Sequence, residues 1–335
     1  MTAELAPTGD RSPAAYSVVD HQLDDATRAR LVESMPDNTR RAYEWALGEF
    51  ATWCHQQGRV PLPATGQTLT EYVRYMADGL DRAPAGIEQA IGAIRSWHKA
   101  SGHSDQPDTA QALQLLRLHK RERATERRGQ KQAPPLTRED LLTCIGALDL
   151  GTVAGRRDHM VLLFGFMMMA RRHVLAALDF ADVVETPDGL DVTVRTDKTD
   201  KDSEGRTVSL PVQSHPDGDP VRVLAAWRFA LAAKNAPLEG PLLRRMRKGD
   251  RPGTRLSADA INDVVRKAAV RAGLPNAELY TAHSLRSGGI TDALQRGVVP
   301  GIAARHGGWE PDSPMLGVYG RAANRWRDNA MLRVF

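Results

Sequence analysis

Cysteine is nearly missing from this chain, aromatic residues make up only 5% of it, and no apolar stretch runs longer than the one around residues 160–170. Each shortage excludes something. Cys54 and Cys144 belong to no CxxC or Cys/His cluster and lie on apolar helical faces, so they read as buried reduced thiols and not as a disulfide or a metal site. The apolar stretch is too short to cross a bilayer and reads as a core helix. Nothing at the N-terminus has the charged, apolar and small-residue order of a signal peptide, which points to the cytoplasm. Repeats and low-complexity tracts are absent as well. What is present is an ordinary charged content of 26% in 335 residues, enough chain for two domains of common size. The net charge of +4 is modest, but the arginines are clustered, and clustering says more than the total about an acidic partner.

Residues 1–22 lack periodicity and read as a flexible tail. From Asn38 the pattern changes: Tyr43, Ala46, Leu47, Phe50, Trp53 and Cys54 fall on one face of a helix that Gly58 ends. LTEYVRYMADG predicts a second helix, PAGIEQAIGAIRSWHKASG a third with Ile87, Ile91 and Ile94 inward, and DTAQALQLLRLHKRERA a fourth. Residues 23–125 are thus expected to form an all-helical domain. The stretch 126–136 carries glycine, a proline pair and basic residues without an apolar face, which marks a linker. A second domain, 137–335, opens with Thr137 as N-cap and Asp140 three residues on as its box partner. In it, Val192 and Val194 alternate with polar residues between glycines at 189 and 205, the pattern of a small antiparallel sheet. Helices are expected at VRVLAAWRFALAA, at SADAINDVVRKAAVRAGL, and from His283 to the end. The fold class is mainly α, with one small antiparallel β-sheet in the second domain.

The apolar helix expected around residues 166–178, FMMMARRHVLAAL, carries Arg171 and Arg172 in its middle. Burying an unpaired charge costs several kcal/mol, so a core arginine must meet something anionic there. Neither Asp158 nor Asp179 has the spacing of a helical partner. Three answers remain: the pair reaches solvent, it meets an acid from elsewhere in the fold, or it awaits an external anion such as phosphate. Three further features bear on the choice. TAHSLRSGGITDAL puts His283 and Arg286 on one helical face; Lys198 sits at a hairpin tip in RTDKTDKDSEGR; HGGWEPDSPMLGVYGRAANRW carries Trp309 and Tyr319. Taken singly, each fits a surface pair, a solvated turn lysine and two core aromatics.

In combination and in this order, the set resembles the tyrosine recombinases, the phage-type integrases, and their Cre-like members above all. That family has an arginine in a helix before a small sheet, a lysine on the sheet's hairpin, H-x-x-R, a His or Trp after a glycine, and a tyrosine near the C-terminus. The resemblance implies Arg171, Lys198, His283, Arg286, Trp309 and Tyr319 as the catalytic set, with His306 as the alternative to Trp309. It extends to NTRRAYEWALGEFATWC and the 84–102 helix, which resemble the family's core-binding (SAM-like) helices, and to LLRRMRKG, which resembles a basic stretch before a helix. Two departures stand out. Val174 occupies a position where the family usually has an acid, and the interval from Trp309 to Tyr319 is one residue longer.

What the resemblance implies is a site-specific DNA recombinase, a mainly helical clamp whose 137–335 domain is catalytic. It would form a covalent 3′-phosphotyrosine and exchange strands through a Holliday junction. Its expected partners are double-stranded DNA with an inverted-repeat site and three further copies in a tetramer on paired sites; no membrane, metal or cofactor is implied, and the protein would sit with the nucleoid in the cytoplasm. Two arginines suit phosphoryl chemistry, because a guanidinium forks onto phosphate oxygens and stays charged. Tyrosine, about a thousandth ionised at neutral pH, needs help losing its proton, for which His283 is the natural base or relay. Lys198 would protonate the leaving 5′ oxygen, and the Trp309 indole N–H would donate to a nonbridging oxygen. Arg41, Gln89, Lys99, Arg121, Arg123, Arg245, Arg247 and Lys248 are the expected DNA contacts outside the site. The tail 321–335 is expected as a short helix that docks on a neighbouring copy or folds back on its own domain. Two other readings fit the same residues: a DNA-binding architectural protein without catalysis, and a type IB topoisomerase or hairpin telomere resolvase.

Overall fold

The computed structural model describes residues 22–33, 37–126, 133–195, 205–310, 313–324 and 329–334, together with Ser17, Met35 and Arg128. The expected tail 1–22 therefore lies almost wholly outside the described residues, as does Lys198. The chain divides into two compact units, 1–130 and 131–335.

Among the described residues, unit 1 contains five α-helices: α1 (Asp25–Glu33), α2 (Asp37–Gln56), α3 (Gly66–Arg74, continued by a π turn Tyr75–Gly79), α4 (Pro84–Ala100) and α5 (Ala110–Thr125). The face marked in the sequence is the one that packs. Ala46, Phe50, Trp53 and Cys54 of α2 meet Ile87, Ile91 and Ile94 of α4 in one core, closed by Leu69, Tyr72 and Val73 of α3 and Leu116 of α5. His98 is fully buried in it; Nε2 accepts from the Ala64 amide at 2.8 Å while Nδ1 lies 2.7 Å from the Ile94 carbonyl. Both ring nitrogens are thus satisfied by backbone, as a buried polar group requires. Burial pushes the Cys54 thiol up to about 11, as it does Cys144 in unit 2, so both stay protonated and inert.

Unit 2 opens with α6 (Arg138–Gly146), whose capping box is formed by Thr137 and Asp140, Asp140 N donating to Thr137 Oγ1 at 3.1 Å. Then follow α7 (Val153–Met167), α8 (Arg172–Ala177), and the antiparallel strands β1 (Val183–Thr186), β2 (Gly189–Val194) and β3 (Arg206–Pro211) in order β1-β2-β3. Val192 and Val194 point into the core, as the alternation predicts. Next come α9 (Pro220–Ala232), a hairpin β4 (Arg244–Arg247) and β5 (Arg251–Arg255), then α10 (Ala258–Arg271), α11 (Ala282–Gln295), α12 (Pro300–Gly307) and α13 (Pro314–Asn324), with a 3-10 turn at Ala330–Arg333. Among the described residues no helix is long and apolar enough to cross a membrane.

Two local expectations are corrected. FMMMARRHVLAAL is not one helix: α7 ends at Met167, Met169 takes a left-handed φ of +48°, and Arg171 is the N-cap of α8. LLRRMRKG, the basic stretch ahead of α10, supplies the first strand of a hairpin, whose turn places Gly249 and Asp250 at positive φ. That turn has a structural task, since both Asp250 carboxylate oxygens cap α7, accepting from Val153 N at 2.7 Å and Ala154 N at 2.9 Å. Finally, the described part of the tail after α13 is a 3-10 turn and not an α-helix; Ala323 lies within α13, Trp326 lies outside the described residues, and Leu332 and Val334 are 66% and 60% exposed.

Helix α11 is the axis of unit 2. Its Gly288 lets the backbone before α6 come close: a Cβ there would stand 1.8 Å from the Leu136 carbonyl oxygen, while Leu136 N donates to the Ser284 carbonyl at 2.9 Å. Gly289 does the same toward the end of α7, where a Cβ would stand 2.5 Å from the Phe166 carbonyl oxygen. Gly288→Ala tests this packing. Alanine is the better helix residue by about 1 kcal/mol, so a backbone that simply yields would make the variant more stable. The expected result in urea unfolding is the opposite, a net loss of about 2–3 kcal/mol from overpacking.

Candidate active site

The break between α7 and α8 is what brings Arg171 into position. With Met169 left-handed and Arg171 extended (φ −73°, ψ 148°), the chain turns sharply, and Arg171 is half-buried at the start of α8. Arg172 points away and pairs with Asp259 of α10 at 2.8 Å on the surface. The two neighbouring guanidiniums thus have separate fates, one toward the interior edge and one toward an acid from elsewhere in the fold.

Arg286 lies on the second turn of α11 and is 4% exposed. Its Nη1 donates to the Met169 carbonyl and, at 2.8 Å, to the Gly307 carbonyl. Its guanidinium carbon stands 3.6 Å from the centroid of the Trp309 ring, a cation–π stack. Trp309 in turn meets Tyr319 edge to face, ring centroids 5.8 Å apart. The Trp309 ring folds back on Gly307, where any Cβ would collide with it at 1.8 Å, and Gly308 supplies the left-handed φ of +67° that ends α12 and makes the fold-back possible.

Tyr319, on α13, is buried against Met169, Ile290, Leu294 and Ala303. Burial pushes its phenol above the usual tyrosine value, while the charges of Arg286 and Arg171 pull it back. Both guanidiniums therefore act on one phenol. His283 stands at the start of α11, its backbone N donating to the Thr281 cap at 3.3 Å. Surrounding protein thins the solvent about its ring, although part of the ring stays open, and Arg286 adds a like charge; both lower its pKa. His306 is elsewhere: its Nε2 lies 2.7 Å from the Met167 carbonyl, a backbone tie. Five of the six expected catalytic residues, Arg171, His283, Arg286, Trp309 and Tyr319, therefore gather within one unit.

No protein-family model matches the chain. A curated relative does: an integrase/recombinase xerD homolog of Selenomonas ruminantium is 27% identical over 314 residues, covering 92% of this chain and 88% of the relative. Among solved structures, the XerH site-specific recombinase bound to palindromic difH substrate has a TM-score of 0.57 at 13% identity, covering 92% of this chain and 83% of that one. A lambda integrase tetramer bound to a Holliday junction has a TM-score of 0.57 at 12% identity, covering 92% and 79%. The chain is thus similar in sequence to an integrase/recombinase and shares the fold of solved tyrosine recombinases. The small sheet and helical bundle of unit 2 match the catalytic fold of that family.

The remaining expected residues fall into two groups. Arg41, Gln89, Lys99, Arg121, Arg245, Arg247 and Lys248 are exposed; Arg41 also donates to Asn38 Oδ1 at 2.8 Å. Arg123 differs: its side chain is 17% exposed and bonded to Asp81 at 2.7 Å, so a phosphate would have to compete with an existing carboxylate. Where Val174 replaces an acid, the side chain is simply core, 2% exposed. The acids nearby on the chain, Asp179 and Asp182, are taken by Arg195, just after β2, and by Arg255 of β5, at 2.5 to 3.0 Å. Sequence reasoning passes over Arg206, whose Nη1 donates to the His306 carbonyl at 2.7 Å. Only its place at the head of β3, after Gly205, sets it apart in the sequence.

The opposed influences on Tyr319 can be measured. In a tyrosine-selective NMR titration its phenol should ionise above the ordinary value of about 10, and Arg171→Ala should move it higher still, because a positive charge that favours the phenolate is removed. Because the folded value is raised, the unfolded chain ionises first, so this group's contribution to stability is lost as the pH climbs past about 10. A phenol that moved down in Arg171→Ala would remove Arg171 from the site.

Proposed function

We propose that this chain is a tyrosine recombinase, a site-specific DNA strand transferase in which Tyr319 forms a covalent 3′-phosphotyrosine, with strand exchange through a Holliday junction. The observation that carries the reading is the convergence of Arg171, Arg286 and Trp309 on Tyr319. The phenolic oxygen attacks the phosphorus; a P–O bond to Tyr319 forms as the bond to the 5′ oxygen breaks. Charge in the pentacoordinate state lies on the nonbridging oxygens, and preorganised guanidiniums are the strongest means of stabilising it there. The phenolic proton passes to His283, which is held neutral by its lowered pKa and so is free to accept it. Lys198 is proposed to supply the proton to the 5′ oxygen; it lies outside the described residues. The phosphotyrosine conserves the bond energy, and a 5′-hydroxyl from another strand reverses the step.

Trp309, and not His306, fits the His/Trp position, since His306 is bound to the Met167 carbonyl while Trp309 stands between Arg286 and Tyr319. The exposed basic residues named above are proposed to contact the DNA backbone, each neutralised phosphate contributing about −0.9 to the slope of log K against log salt. Double-stranded DNA with an inverted-repeat site is the proposed partner and a tetramer on paired sites the proposed assembly. Such an enzyme works where the chromosome is, in the cytoplasm with the nucleoid.

A nicked suicide substrate tests the chemistry. Tyr319→Phe should bind the site and form no covalent adduct; Arg171→Ala and Arg286→Ala should each slow cleavage by about 10²-fold with affinity mostly kept. An adduct in the Phe variant would mean another nucleophile. Binding without any adduct in the unaltered protein would favour an architectural role instead. The tail offers a second test. Met331, Leu332 and Val334 are 56%, 66% and 60% exposed in the single chain, three apolar side chains in search of a cover, which supports docking on a neighbouring copy. Deleting residues 324–335 should leave half-site binding near normal and abolish cooperative binding to a full site. Unchanged assembly on paired sites would show that the tail folds back on its own unit.

A further inference from the structure

We propose that Arg206 is a positioning residue for the cleavage site, holding the turn that seats Trp309 on Arg286. The effect on cleavage rests on the strand-transfer reading above; the geometry stands without it. The Trp309 ring has to fold back over Gly307, and the turn that allows this, Gly307–Gly308, has no side chains of its own to fix it. Glycine pairs are the most mobile backbone available, so a site that needs Trp309 in one place must restrain them from outside. Three side chains do so. Arg286 takes the Gly307 carbonyl at 2.8 Å, His306 reaches the Met167 carbonyl at 2.7 Å, and Arg206 takes the His306 carbonyl at 2.7 Å. Arg206 also lies flat against the turn, its Nε 2.8 Å from where a Cβ on Gly308 would stand.

Arg206 differs from the other two restraints in where it comes from. Arg286 is bound to the turn by the same guanidinium that stacks on Trp309, and His306 belongs to α12 itself. Arg206 is the first residue of β3, paired with Val194 of β2, so it braces the turn from the sheet. Its Nη1 bonds a carbonyl, while Arg286 and Arg171 are the cations that lower the Tyr319 phenol. A direct phosphate contact would be a different role, and the two separate by experiment.

The readout is the indole N–H resonance of Trp309, identified in the full-length protein by its loss in Trp309→Phe. In Arg206→Ala this resonance should shift or broaden, while the other five indoles report an intact fold; Arg206→Lys, which keeps one donor, should restore part of the position. On a suicide substrate, Arg206→Ala should cleave roughly tenfold to a hundredfold more slowly at unchanged DNA affinity, the range expected when a reacting group is misplaced by about an ångström. Combined with Trp309→Phe, the loss should be less than the product of the two single losses, because both remove the same seat. An unmoved Trp309 resonance in Arg206→Ala overturns the proposal, whatever the kinetics. A shifted resonance with full multiplicative losses also overturns it, in favour of a direct role at the phosphate. A chain that forms no Tyr319 adduct at all refutes the strand-transfer reading, and the resonance still decides whether Arg206 holds Trp309.

Discussion

Arg286 is the point on which unit 2 turns. It is a buried guanidinium whose Nη1 joins the carbonyl of Met169, in the break between α7 and α8, to the carbonyl of Gly307, at the end of α12. A buried cation is costly unless its surroundings answer it, and here carbonyl dipoles and the face of Trp309 do so. Everything at the site is arranged around that solution. The break that leaves the Met169 carbonyl outside the helix ladder also sets the half-buried Arg171 at the start of α8; the turn that presents the Gly307 carbonyl also carries Trp309. Removing the charge would leave two carbonyls and one indole without their common partner.

The placement of α11 makes this possible. Gly288 and Gly289 remove the side chains that would keep α11 from the backbone at Leu136 and Phe166, so the helix lies against main chain on two sides. At its N-terminus Asn262 Oδ1 accepts from Ala282 N at 3.0 Å and Thr281 closes a box with Ser284, which fixes the first turn, the one bearing His283. At its other end the Asp292 carboxylate accepts from Arg138 N at 2.6 Å, tying α6 to the same helix. A helix held at both ends and approached by backbone in the middle has little freedom to slide, and its side chains inherit that precision.

Much of this was legible from the sequence, and the exceptions share a cause. Periodicity located the faces of α2 and α4, because apolar burial at 3.6-residue spacing leaves a mark wherever a helix covers a core. The Thr137 cap and the alternation in β2 were visible for the same local reason. The break after Met167 was not. FMMMARR contains neither proline nor glycine, and Met169 adopts positive φ because Arg286 and the packing of α11 hold it there, an interaction spanning 117 positions. The β4–β5 hairpin was hidden by its charge, since RRMRKGDRPGTR reads as a basic run until the Gly249–Asp250 turn and the capping of α7 by Asp250 are seen. Arg123 looked like its basic neighbours, and only the fold brings Asp81 to it. At the site the residue types were readable and their partners were not: nothing in HGGW says that His306 turns to a carbonyl while Trp309 turns to Arg286.

In the proposed reaction the arginines have two demands placed on them, and these compete. Without DNA, Arg171 and Arg286 lower the phenol of Tyr319 against the burial that raises it. A phosphate brought between them takes up that positive field, so the help they give the phenolate weakens as substrate arrives. The cations therefore serve the transition state more than the nucleophile, and the proton has to be removed by a group that is not itself a cation. In the proposal His283 would meet that requirement, since desolvation first and then the charge of Arg286, three residues on, disfavour its protonated form. In that proposal one guanidinium would stabilise the charge on the nonbridging oxygens, while it holds Trp309 by its face and helps to disfavour protonation of His283. This is why the site tolerates a buried arginine that packing alone would reject.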